Sequence, residues 1–155
     1  MAKRLTYAMV GGGPDGFIGD AHRRAIGLDG TAAIAAGVFS RNREKSLQMA
    51  ESLGISLDRC YEDCQTMARA EGEREDGVDF VTVVTPNQSH YEICRAFLEA
   101  GIHVVCDKPV TTTYRQAKEL EALAEDKGLL FMVTYTYMGY VTAKYARELV
   151  ASGAI

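Results

Sequence analysis

Three short segments of this 155-residue chain combine side chains and backbone freedom in ways that permit chemistry. Cys106-Asp107-Lys108-Pro109 follows a short apolar run, so its lysine stands at the carboxyl end of a predicted strand. Proline holds the residue before it extended, which gives Lys108 a set direction. A lysine so placed can polarise a carbonyl oxygen or assist a proton transfer. Val10-Gly11-Gly12-Gly13-Pro14-Asp15-Gly16 joins another predicted strand to a helix, and Gly11, Gly13 and Gly16 have GxGxxG spacing. The first glycine of such a loop permits the tight turn. The second lets the backbone approach a pyrophosphate, whose charge favours the helix N-terminus. Pro14 removes one backbone donor, and Gly19 is an alternative to Gly16 for the close helix–strand contact. Thr85-Pro86-Asn87-Gln88-Ser89-His90 follows a third strand, with Asn87 placed to cap the next helix.

The end of the second predicted strand bears on cofactor choice. An Asp or Glu there would accept hydrogen bonds from the adenosine ribose hydroxyls. Ser40-Arg41-Asn42-Arg43 stands there instead. Ser40 does not repel a 2′-phosphate and Arg41 can pair with one, so these residues lean towards NADP over NAD.

The elements that must position these loops follow from periodicity and punctuation. Strands are predicted over 5–10, 33–39, 59–61, 80–84, 103–106 and 130–134. Between and after them lie helices over 17–28, 42–54, 62–71, 87–101, 113–127 and 141–151, with residues 72–77 as an exposed loop. Short, continuously apolar strands alternating with amphipathic helices predict an α/β fold. Its form is a doubly wound parallel sheet of about six strands with helices on both faces. Ligands of such sheets sit beyond the carboxyl ends of the strands, where all three loops lie.

Composition excludes other classes. Apolar residues make up 47%, charged residues 25%, and the net charge is −4, with cations and anions interspersed. That is an ordinary globular balance with no nucleic-acid footprint. No apolar run reaches the length of a membrane span, and the amino terminus lacks a signal-peptide layout, so a cytoplasmic protein is expected. Cys60, Cys64, Cys94 and Cys106 form no CxxC pair, and the three histidines complete no zinc pattern, so reduced, mostly buried thiols and no metal are expected. His22 is expected to pack near the glycine loop, and His103 to be structural.

In order and content these motifs resemble the Gfo/Idh/MocA family of NAD(P)-dependent sugar and polyol oxidoreductases. The matching pieces are Gly11-Gly12-Gly13 through Phe17-Ile18-Gly19 with His22, Phe39-Ser40-Arg41, Thr85-Pro86-Asn87 with His90, and Ala100-Gly101-Ile102-His103-Val104-Val105-Cys106-Asp107-Lys108-Pro109. The family commonly has Glu-Lys-Pro, so Asp107 is a conservative departure. The resemblance implies a Rossmann-type NAD(P)-binding domain over 1–145. It implies cofactor contacts from Gly11, Gly13, Asp15, Phe17, Ile18, Ser40, Arg41, Thr85, Pro86, Asn87, His90, Asp107, Lys108 and Pro109, with Lys108 catalytic. A direct chemical role for His90 is the less expected of its two readings, the other being structural. Residues 146–155 are expected to begin a linking helix to a C-terminal substrate domain beyond this chain. That domain would bring most of the substrate pocket and a homo-oligomer interface. The implied reaction is hydride transfer between a nicotinamide and a sugar or polyol hydroxyl or carbonyl. A non-catalytic nucleotide-binding module, sensing redox state or serving a partner, is the alternative.

Overall fold

The computed structural model describes residues 4–155. Five parallel strands form one sheet: β1 (Leu5–Gly11), β2 (Ala32–Val38), β3 (Phe80–Val84), β4 (His103–Asp107) and β5 (Phe131–Thr134). Their order is β2-β1-β3-β4-β5, so the chain reverses its direction of winding between β1 and β3. The helices are α1 (Phe17–Gly27), α2 (Arg43–Ser52), α3 (Cys64–Glu73), α4 (His90–Glu99), α5 (Tyr114–Asp126) and α6 (Val141–Ala151).

Burial on both sheet faces explains the apolar runs. Along β1, Tyr7 and Met9 join the core with Phe39, Ala50 and Ile55, while Ala8 and Val10 join the other with Val81, Phe97 and Leu98. Successive side chains of a strand point to opposite faces, so each core receives every second residue. Side-chain caps begin three of the helices. Asn42, Asp63 and Thr113 each accept a backbone N–H at the first turns of α2, α3 and α5.

Two expectations are corrected. Residues 59–61 do not form a strand: Leu57–Arg59 winds into a 3₁₀ turn, and only a single bridge, Gly37 to Cys60, continues the sheet beyond β2. The side chains there are drawn inward, not along a ladder. Arg59 Nε donates to Glu71 Oε1 at 3.0 Å, with a second bond from its other nitrogen to Oε2. The Tyr61 hydroxyl donates to Oε1 at 2.7 Å, and the Val78 N–H donates to Oε2 at 3.2 Å. Burial, then Glu71, push the Tyr61 phenol up to about 12, so it stays a donor. Asn87 does not cap a helix; it opens a 3₁₀ turn, Asn87–Ser89, that leads into α4 with no side-chain cap bond.

The Glu71 side chain is wholly buried and Arg59 nearly so. Removing one partner of such a pair leaves an uncompensated charge in the interior. Arg59→Ala is therefore expected to lower unfolding free energy by about 3 to 5 kcal/mol. A urea titration checks this; a loss below about 1 kcal/mol would show that the pair behaves as a surface ion pair.

From β5 onward several large apolar side chains face outward. Met132, Tyr135, Tyr137, Met138, Tyr140, Val141 and Tyr145 are all exposed. Tyr137 and Tyr140 meet edge to face.

Candidate active site

The carboxyl ends of β1, β2 and β3 open into a cleft of about 430 Å³. Gly11, Gly13 and Asp15 line it from β1, Ser40 and Arg41 from β2, and Thr85 and Pro86 from β3. It lies where the winding reverses, the place where open α/β sheets bind ligands.

The glycines are needed here for measurable reasons. Gly11 has φ +88°, a left-handed conformation, and a Cβ on it would lie 2.8 Å from the Val84 carbonyl oxygen. A Cβ on Gly13 would lie 2.5 Å from the Phe39 carbonyl oxygen. A Cβ on Gly19 would overlap the Gly12 Cα, so Gly19, not Gly16, makes the close contact between α1 and the loop. The Gly16 N–H instead closes a turn onto the Gly13 carbonyl at 2.9 Å. No side chain caps α1 at Gly16, which leaves the first N–H groups of that helix for a ligand. Arg23 secures the loop from below, donating to the Gly12 carbonyl at 2.8 Å.

At the outer wall Asp15 pairs with Lys45 at 2.7 Å, tying the glycine loop to α2. Ser40 Oγ accepts the Asn42 N–H at 3.1 Å, while Arg41 is exposed at the rim. Asp63 and Cys64, at the start of α3, also line the cleft and were not anticipated. A signal existed: Asp63 and Thr66 form a cap at a loop on the ligand side of the sheet, where Asp63 Oδ1 accepts the Thr66 N–H at 2.7 Å.

The remaining candidates divide. Lys108 and Pro109 are exposed at the end of β4, joined by a cis peptide bond, beside the Thr85-Pro86 loop that follows the neighbouring strand. Phe17 is exposed at the start of α1, with Ile18 half-buried behind it; neither these two nor Asn87 line the cleft. Asp107 is turned towards the sheet: its Oδ1 accepts from Thr134 Oγ1 at 3.0 Å and lies 3.8 Å from His22 Nε2. His22 packs against β3, with Nδ1 3.0 Å from Thr82 Oγ1. Burial lowers its pKa, against the pull of Asp107. His103 Nδ1 accepts the Leu130 N–H at 3.1 Å, a structural tie between β4 and the approach to β5. His90 is buried beneath the Lys108 loop. Among the described residues no group of three or more His, Cys, Asp and Glu is gathered to hold a metal, and no helix is long and apolar enough to cross a membrane.

A doubly wound parallel sheet with a glycine-lined cleft at its switch point defines a dinucleotide-binding domain of the Rossmann type. The sequence model of the Gfo/Idh/MocA oxidoreductase family, NAD-binding Rossmann fold, matches residues 5–135. This chain belongs to that family. An uncharacterized oxidoreductase of Bacillus subtilis, YfiI, is 41% identical over 156 residues, covering 100% of this chain and 40% of the relative. D-xylose 1-dehydrogenase (NADP⁺) 2 of Haloferax volcanii is 30% identical over 118 residues, 76% of this chain and 34% of its own length. The crystal structure of an inositol dehydrogenase homolog from Azotobacter vinelandii, complexed with NADH and myo-inositol, superposes with a TM-score of 0.92 at 39% identity. It matches 99% of this chain, which covers 41% of that structure. The chain thus spans well under half the length of these relatives.

Proposed function

We propose that this chain is the cofactor-binding domain of an NAD(P)-dependent oxidoreductase that moves a hydride between nicotinamide and a sugar or polyol hydroxyl or carbonyl. The observation that carries the reading is the glycine-lined cleft at the switch point, with Lys108 at the end of the adjacent strand pair. The xylose and inositol enzymes among its relatives support the substrate class.

The residues present fit a dinucleotide. Gly11 and Gly13 clear the backbone for close approach of a pyrophosphate, and the uncapped start of α1 offers donors to it. Thr85 and Pro86 form the opposite wall. When bound, the nicotinamide supplies the hydride chemistry. Lys108 would hydrogen-bond the reacting oxygen and carry its proton. Asp107, tied to Thr134, would brace the loop, and Asp15, Phe17, Ile18, Asn87, His90 and Pro109 would shape the cofactor surroundings. Most of the substrate pocket, and a homo-oligomer contact, would come from a further domain.

Cofactor preference rests on the end of β2. Ser40 and Arg41 stand at the end of β2, on the cleft, in place of an acidic residue that would meet the ribose, which favours a 2′-phosphate and so NADP. Titration with NADH and NADPH, followed by nicotinamide fluorescence, tests both parts. Saturable binding of either supports the domain reading; binding of neither would sink it. Arg41→Ala is expected to weaken NADPH about tenfold while leaving NADH within about twofold. Equal effects on both would remove the NADP preference.

A further inference from the structure

The two loops that flank the reacting end of the proposed site are joined by one buried side chain. His90 opens α4 and is 1% exposed. Its Nδ1 lies 2.8 Å from the Pro109 carbonyl oxygen and its Nε2 lies 2.7 Å from the Thr85 carbonyl oxygen. Both partners are acceptors without a proton. A neutral imidazole has one N–H, so one of these contacts would set a ring lone pair against a carbonyl lone pair. Only the doubly protonated ring donates to both, and hydrogen bonds from a charged donor are the stronger kind.

We propose that His90 is a positioning residue for Lys108: held as an imidazolium, it clasps the carbonyl of Pro109 to that of Thr85 and so locks the lysine loop against the cofactor-wall loop. The role assigned to Lys108 rests on the oxidoreductase reading above; the clasp itself does not. The titratable group facing the ring is the Cys106 thiol of β4, itself in contact with Cys94 of α4. Asp107, the next residue, is engaged with Thr134 and His22. Burial opposes charge on the ring. Cys106, then the carbonyls of Pro109 and Thr85, outweigh it and push the His90 pKa up to about 9. The Cys94 thiol, then His90, draw the Cys106 thiol downward. Because the folded value is raised, the clasp is fully present below the ordinary histidine range and is lost as pH rises through about 9.

The test is a ¹⁵N–¹H spectrum of the histidine rings of the whole chain, assigned through bonds, so no variant need fold. At about pH 8, above the ordinary histidine range, His90 is expected to show two protonated ring nitrogens, whereas His22 shows one. One protonated and one bare nitrogen on His90 at that pH would overturn the clasp. Amide exchange supplies a second measurement. His90→Gln, with its single amide group, is expected to speed exchange at Asp107, the last residue of β4, and at Lys108 by about tenfold, with the rest of the sheet unchanged. Unchanged exchange at the loop would overturn the positioning role. NADH titration of the same samples separates the two readings: absent binding with a doubly protonated His90 defeats the oxidoreductase assignment and leaves the clasp standing.

Discussion

Replacing Gly13 with valine is expected to weaken NADH and NADPH binding about a hundredfold or more, to the point where no saturation is seen. The cause is local and steric. Even a Cβ at this position would lie 2.5 Å from the Phe39 carbonyl oxygen, which belongs to the backbone at the end of β2 and cannot rotate away. The valine must push the glycine loop off that strand end, and its methyl groups then stand where a pyrophosphate would approach the backbone. Gly13 is half-buried at the cleft wall and outside both apolar cores, so the sheet should survive. Circular dichroism and a urea midpoint check that the fold persists, and nicotinamide fluorescence reads the binding. A variant that folds and binds NADH as the unsubstituted chain does would show that the nucleotide, if bound, lies elsewhere.

Lys108→Met carries the second large effect, and it falls on turnover and not on binding. Methionine keeps the length of the side chain and removes its charge and all three donors. A positioned proton-transfer group contributes about 10² to 10⁴ in rate, so kcat of the enzyme that includes this domain should fall by that factor. Lys108 is exposed at the end of β4 and does not line the nucleotide cleft, so NADH affinity should stay within about twofold. Steady-state kinetics with a polyol or sugar substrate, beside a fluorescence titration, reads both. Retained kcat would remove the lysine from the chemistry. Parallel loss of kcat and NADH affinity would recast it as a cofactor-binding residue.

The elements were legible where their causes are local. Strands β1, β3, β4 and β5 are runs of β-prone apolar residues closed by glycine, proline or threonine, and the structure places them within one residue of expectation. Asn42 caps its helix through a contact spanning only three residues, so its spacing alone carries the signal. Gly54, Gly101 and Gly128 stop helices by adopting positive φ, a property of the residue itself. The glycine loop and the Asp-Lys-Pro turn were recognisable for the same reason.

What the sequence could not state depends on residues far along the chain. Residues 59–61 carry strand-like types, yet Arg59 and Tyr61 turn to Glu71 because a buried carboxylate there needs both of them. Asn87 looks like a cap, but the tight turn from β3 places a 3₁₀ segment before α4. The choice of Gly19 over Gly16 rests on how closely α1 crosses the loop at Gly12. Asp107 faces Thr134, 27 residues away, and His90 meets the Pro109 carbonyl 19 residues on. By itself the sequence determined the alternation of strands and helices and the three loops at one sheet edge, since periodicity and turn chemistry act over a few residues. Only the tertiary structure decided which side chains enter the cleft, which turn away to satisfy buried partners, and that one histidine lies between two carbonyl oxygens. Those outcomes follow from satisfying every buried polar group at once, a condition imposed by packing across the whole fold.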